Sequence, residues 1–140
     1  MTHPPPRYEC WIVCGSRELA DGPWVSVRLD QLAKRHGYPR VLIHGDARGA
    51  DRLAKEWGER RKDLTGLEVR GRPADWDLGK GAGLVRNRQM AEEAKEFRSV
   101  LVVAFPVIGL KNAGTMDMVG VAASFGYLFV GMPYQPRAGV

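Results

Sequence analysis

Three stretches of this chain are apolar at every position: Trp11-Ile12-Val13-Cys14, Val41-Leu42-Ile43 and Val100-Leu101-Val102-Val103-Ala104. A strand with one wet face alternates in polarity, whereas a strand apolar throughout is covered on both faces. Between the first two runs, Val25, Leu29, Leu32 and His36 recur at intervals of four, three and four, which is one face of a helix. Buried strands separated by helices imply a parallel sheet held between two helical layers. The expected architecture is therefore α/β, a three-layer sandwich with about five parallel strands in the order 3-2-1-4-5.

The remaining elements follow from local signals. Gly37-Tyr38-Pro39 ends the helix begun near Trp24, and Leu53, Ala54, Trp57 and Gly58 place another after the second strand. Leu67-Glu68-Val69-Arg70 alternates apolar and charged residues, as an edge strand does. A helix is expected from Ala82 to Phe97, another from Gly114 to Phe125, and a last strand from Tyr127 to Val130. Residues 1–7, with three consecutive prolines, read as an extended arm ahead of one domain over 8–140. No signal-peptide pattern or membrane-spanning run is present, so a soluble, cytoplasmic protein is expected.

Cys10 and Cys14 would share one face of the first strand at roughly 13 Å, too far apart for a disulfide. They read as core thiols, and with no second ligand pair no metal site is expected; no cofactor is certain from the sequence. The formal charge of +5 favours anionic partners without choosing among them.

In the order 3-2-1-4-5 the first and fourth strands lie side by side, and ligands bind beyond their carboxyl ends. Gly15-Ser16-Arg17 follows the first strand, His44 to Asp51 (HGDARGAD) the second, and Gly114-Thr115 opens the helix after the fourth. A guanidinium, a hydroxyl and a helix start together suit a phosphate. Asp46 has three readings: contact with a ribose hydroxyl, an anchor for Arg17 or Arg48, or a base. Asp51 reads as a helix cap or a partner of Lys55, and His44 as a hydrogen-bonded core histidine. Asn87 lies on an inward helix face with Gly83, Met90, Ala94 and Phe97, where it either staples a loop or reaches a ligand. Arg86 beside it can point to the crevice mouth. Trp76 is expected to seal the sheet end, with stacking on a base as the alternative.

Cys14-Gly15-Ser16-Arg17, His44–Asp51, Pro73-Ala74-Asp75-Trp76, Arg86-Asn87-Arg88-Gln89-Met90 and Gly114-Thr115-Met116-Asp117-Met118 occur in this order. In that set the chain resembles the YspA-like, cpYpsA-related branch of the SLOG superfamily, related to the Lonely Guy phosphoribohydrolases and to DprA. The resemblance implies a Rossmann-like fold and a nucleotide or phosphorylated nucleoside derivative as ligand. Gly15, Ser16, Arg17, Gly45, Asp46, Arg86, Asn87, Gly114 and Thr115 would line the site. The position of the Lonely Guy catalytic Glu is Met118 here, with Asp117 one residue, about 100° of helix rotation, away. If the site is catalytic, hydrolysis of an N-glycosidic or phosphate bond with Asp46 or Asp117 as acid/base is expected. The alternatives are single-stranded nucleic-acid binding of the DprA type and a non-catalytic nucleotide sensor or sequestering module. The helix after Gly114 reads as apolar all round, which implies a homodimer or larger homo-oligomer with Met118 or Val121 near its interface.

Overall fold

A computed structural model describes residues 7–137. Of the expected N-terminal arm only Arg7 falls within them; the rest lies outside the described residues. The elements are β1 (Cys10–Gly15), α1 (Gly22–His36), β2 (Val41–His44), α2 (Ala50–Thr65), β3 (Glu68–Gly71), α3 (Ala82–Glu93), β4 (Val100–Phe105), α4 (Ala113–Ser124) and β5 (Leu128–Gly131). All strand pairs are parallel, in the order β3-β2-β1-β4-β5. This is the Rossmann-like order expected. No described helix is long and apolar enough to cross a membrane.

Alternate residues of β1 feed the two sides of the sheet. Trp11 and Val13 join Val25, Leu29, Leu32, Ala54 and Trp57 from α1 and α2. Cys10, Ile12 and Cys14 join Met90, Ala91, Met118 and Ala122 from α3 and α4. Both thiols are buried and unbridged, and burial pushes that of Cys10 up to about 12. On the first side Trp57 stacks between Trp11 and Tyr38, with ring centroids 5.8 Å away in each case. Its indole N–H donates to Asp30 at 2.9 Å, so the polar end of a buried ring is satisfied. α1 starts where Asp21 accepts the Trp24 N–H at 3.1 Å, and it stops at Gly37, whose φ of 82° favours glycine.

Two expectations are corrected. α3 ends at Glu93, with a 3-10 turn over Ala94–Glu96, and Phe97 is extended rather than helical. The chain tightens there because β4 begins at Val100, and Phe97 packs on the core while lying 5.5 Å beneath the Arg70 guanidinium. The second correction concerns α4. Met118 is fully buried and Val121 nearly so, both against the sheet of the same chain. Its outward side carries Met116, Gly120, Ala123 and Ser124, all exposed. Small residues score as apolar yet present little area, so the helix has a distinct inner face. Met118 is a core residue of its own chain, and the outer side of the helix is built of Met116 and small residues.

Met118→Ala should therefore destabilise the isolated chain by about 2–5 kcal/mol, the usual cost of emptying a buried site. Met116→Ala, two residues away and 55% exposed, should change stability by less than about 0.5 kcal/mol. Urea unfolding measures both, and equal losses would show that the helix presents a different face to the sheet.

Candidate functional site

β1 and β4 run side by side to Gly15 and Phe105, and their continuations then part. The Ser16 N–H still donates to the Phe105 carbonyl at 3.0 Å, while the Ser16 carbonyl accepts from Ala50 N–H at 3.1 Å. This brings the start of α2 against the β1 turn. A side chain on Gly15 would lie 2.5 Å from Ala50 Cβ, and one on Gly49, at φ +83°, would lie 2.3 Å from the Ser16 carbonyl oxygen. Both glycines are needed for the approach. Ser16 Oγ accepts the Glu18 N–H at 3.1 Å, which turns the chain and leaves Arg17 projecting at the sheet edge.

The HGDARGAD loop is held from within. Asp51 Oδ2 accepts the N–H groups of Gly45 at 3.0 Å and Ala47 at 3.4 Å, and His44 Nδ1 accepts that of Asp46 at 3.0 Å. Three successive amides are thus taken up by the protein's own side chains. Asp51 forms neither a helix cap nor an ion pair with Lys55; it reaches back from the first turn of α2 into the loop. Asp46 adopts φ 53°, and its carboxylate is 3.7 Å from Arg52 rather than anchoring Arg17 or Arg48. His44 is a core residue as expected, 1% exposed, and burial lowers its pKa to about 4. Burial also raises Asp51 to about 6, against the opposing pull of the Arg86 guanidinium and the two amides.

The far wall comes from α3 and α4. Asn87 is buried and does both structural jobs open to an amide: Nδ2 donates to Asp117 at 2.9 Å and to the Gly114 carbonyl at 3.3 Å, while Oδ1 accepts from Arg86 Nε at 3.1 Å. Arg86 is half-buried and donates to the carbonyls of Gly45 and Arg72, joining α3 to the β2 and β3 ends. At the start of α4, Asn112 takes φ 53° and spends its side chain on Val107 and Leu110. It caps no amide of the helix, and the first intrahelical bond runs from Met116 N–H. The N–H groups of Ala113, Gly114 and Thr115 therefore face forward without helical acceptors.

These elements enclose a crevice of about 390 Å³ at the carboxyl edge. Of the residues singled out in the sequence, Gly15, Ser16, Arg17, Arg86, Asn87, Gly114 and Thr115 line it. Gly45 and Asp46 line a neighbouring depression, and Asp117 sits behind Asn87. Trp76 does not seal the sheet end. It is 54% exposed at the crevice, with the Arg17 guanidinium 5.2 Å from its ring centroid. Among the described residues Arg17 makes no hydrogen bond or ion pair with the protein. Asp51, singled out in the sequence, also lines it, and the lining residues missed by sequence reasoning include Glu18, Lys80 and Asn112. Only Asn112 carried a usable signal, a Gly-Leu-Lys-Asn loop ending in a residue that tolerates left-handed backbone. Among the described residues no His, Cys, Asp and Glu group gathers as a metal-ligand set.

Asp51 and His44 give opposite pH dependences. The raised Asp51 contributes stability that is lost as pH climbs through about 6, and the lowered His44 contributes stability lost as pH drops through about 4. Asp51→Asn should therefore gain in Tm relative to the native chain as pH rises from about 4 to about 6, since its amide oxygen still accepts the loop N–H groups. His44→Gln should gain on it in the reverse direction, as pH falls from about 6.5 to about 4. Thermal unfolding across that range checks both; parallel curves would mean that neither group titrates abnormally.

The comparisons with known proteins agree with this layout. The family described as YspA, cpYpsA-related SLOG matches residues 12–79, which hold the β1 turn, the HGDARGAD loop and Trp76. The chain is also 34% identical over 99 residues to the Gene 61 protein of Mycobacterium phage D29, an overlap of 69% of this chain and 75% of the phage protein. No solved structure matches it significantly. The glycine-built turn of β1 and the self-stapled loop after β2 both fall within the matched residues, and the chain belongs to the YspA, cpYpsA-related SLOG family.

Proposed function

We propose that the crevice binds a nucleotide or a phosphorylated nucleoside derivative. The observation that carries this reading is Arg17, a guanidinium without a protein acceptor, held over an exposed indole inside a crevice at the switch point. Arginine is shaped for bidentate contact with phosphate, and an accessible aromatic face suits a nucleobase. The uncapped start of α4 across the crevice supplies further N–H donors and the positive end of its dipole. Membership of the SLOG family supports the same reading. The crevice volume of about 390 Å³ is in the range of small-molecule sites.

A second reading, hydrolysis of the bound nucleotide, is favoured by one observation. Asp51 is a crevice-lining carboxyl whose pKa is raised to about 6, near the working pH that acid–base catalysis requires. Asp46 and Asp117, the acid/base residues suggested by the sequence, lie outside the crevice lining. Turnover that disappears in Asp51→Asn while binding persists would support hydrolysis. Binding without turnover in the native chain would leave a sensor or sequestering module.

Arg17→Ala should weaken binding of a nucleoside monophosphate by roughly ten- to a hundredfold, the loss of a charge-assisted contact worth about 1.5–3 kcal/mol. Its Tm should hardly move, because Arg17 holds no other element in place. Calorimetric titration and thermal unfolding separate these outcomes; a large drop in Tm with unchanged affinity would make Arg17 a structural strut. Affinity for the monophosphate should also change little between about 50 mM and about 200 mM salt, since a single phosphate at Arg17 meets few cations compared with a strand in a basic groove. Tight single-stranded DNA binding with a steep salt slope, and no nucleotide binding, would instead favour the DprA-like alternative.

A further inference from the structure

The crevice does not end at Arg17. A second depression of about 370 Å³ adjoins it and shares Arg17, Ala47, Trp76 and Arg86 as common walls. Its own lining adds Arg48 and Arg52, so four guanidinium groups face it with Asp46 as the one carboxylate. None of the four is tied up in a buried ion pair. Arg17 has only the Trp76 ring, and Arg86 donates to neutral carbonyls. Arg48 meets Glu18 at 2.9 Å, with both side chains more than 60% exposed, a pairing that water screens heavily. Arg52 stands 3.7 Å from Asp46, beyond hydrogen-bond distance, and is 60% exposed. A concavity in which one sign of charge outnumbers the other four to one focuses its potential on an anion.

We infer that the ligand is a nucleotide carrying a second phosphoryl group, which passes Arg17 and Trp76 and is held in this depression by Arg48 and Arg52. The inference rests on the nucleotide reading of the crevice and extends it. Arg17 and Arg86 stand at the junction between the two lobes, where they can meet either group. The crevice keeps the nucleoside and the first phosphate, between the Trp76 ring and the start of α4. Two chemical sources share this feature: a bisphosphate with separated phosphates and a diphosphate with adjoining ones.

The test is calorimetric titration of the full chain with adenosine 5′-monophosphate, 5′-diphosphate and 3′,5′-bisphosphate. The native chain should bind at least one of the doubly phosphorylated probes roughly tenfold or more tightly than the monophosphate, as one added charge-assisted contact allows. Which of the two gains shows whether the phosphates are adjoining or separated. In Arg52→Ala and Arg48→Ala that preference should shrink several-fold, and in Asp46→Asn it should grow, because the lone carboxylate of the depression is neutralised. All three side chains reach solvent, so thermal unfolding should show each variant folded. Equal affinity for all three probes, with the monophosphate still bound, would overturn the second-phosphate inference and leave the nucleotide reading standing. Loss of affinity in Asp46→Asn would likewise overturn it, by making Asp46 a direct ligand contact. Failure of every probe to bind the native chain would overturn both.

Discussion

Backbone lies against backbone where the β1 turn meets the start of α2, and the cleft takes its shape from that contact. Ser16 is bonded on one side to Phe105 and on the other to Ala50, so one residue fixes the spacing of β1, β4 and α2 at the functional edge. Gly15 and Gly49 make this possible by removing the Cβ atoms that would collide with Ala50 and the Ser16 carbonyl. Arg17 follows immediately and inherits its position from the pinned residue before it. The hydroxyl of Ser16 contributes to the same restraint through Glu18 N–H. Any widening of this contact would displace the guanidinium, the loop before Gly49 and the start of α2 together.

The second turn solves a different problem, which is to leave a buried strand through a polar loop without orphaned amides. His44 and Asp51 satisfy three of them from the two ends of the HGDARGAD run. The arrangement costs desolvation, visible in the opposite pKa displacements of the two groups, yet it fixes the loop without help from a ligand. Arg86 completes the set by crossing from α3 to the Gly45 carbonyl. Further along, Arg70 and Arg72 of the β3 end grip Glu93 of α3. The floor under the cleft is thus anchored to both helical layers.

The fold was largely legible in the sequence because hydrophobic periodicity reports burial directly. Three runs apolar at every position could only be strands covered twice, and the sheet order followed from connecting them by helices. The glycine turn, Arg17, Asn87 and Gly114-Thr115 were also visible, since each is a polar or backbone-permissive group at a strand end or on an inward face. What escaped were directions. Asp51 was read forward along its helix, but a first-turn side chain can reach back into its own loop, and the unpaired amides there decided the matter. Trp76 looked like a seal because its loop was known only by length; the structure turns the ring toward Arg17. α4 misled because hydropathy weighs alanine and glycine as apolar while area does not, and Met118 lies inside.

The two sides of the sheet are filled with different materials. α1 and α2 rest on interlocked aromatic rings, Trp11, Trp57, Tyr38 and Phe105 among them. α3 and α4 rest on Met90, Met118, several alanines and the branched side chains of Ile12, Ile43 and Val102, with rings only at the margin in the partly buried Phe97, Phe125 and Tyr127. Methionine adapts its shape through three rotatable bonds, and alanine offers no ring or branch to lock against a neighbour. The wall bearing Asn87, Gly114 and Thr115 is therefore the less interlocked one, while the wall bearing the β1 turn and the HGDARGAD loop is backed by rings. Partial opening of a protein begins in its least interlocked unit. By that rule, loosening of the cleft is expected to start at the α3/α4 jaw, with the aromatic half of the molecule the last to follow.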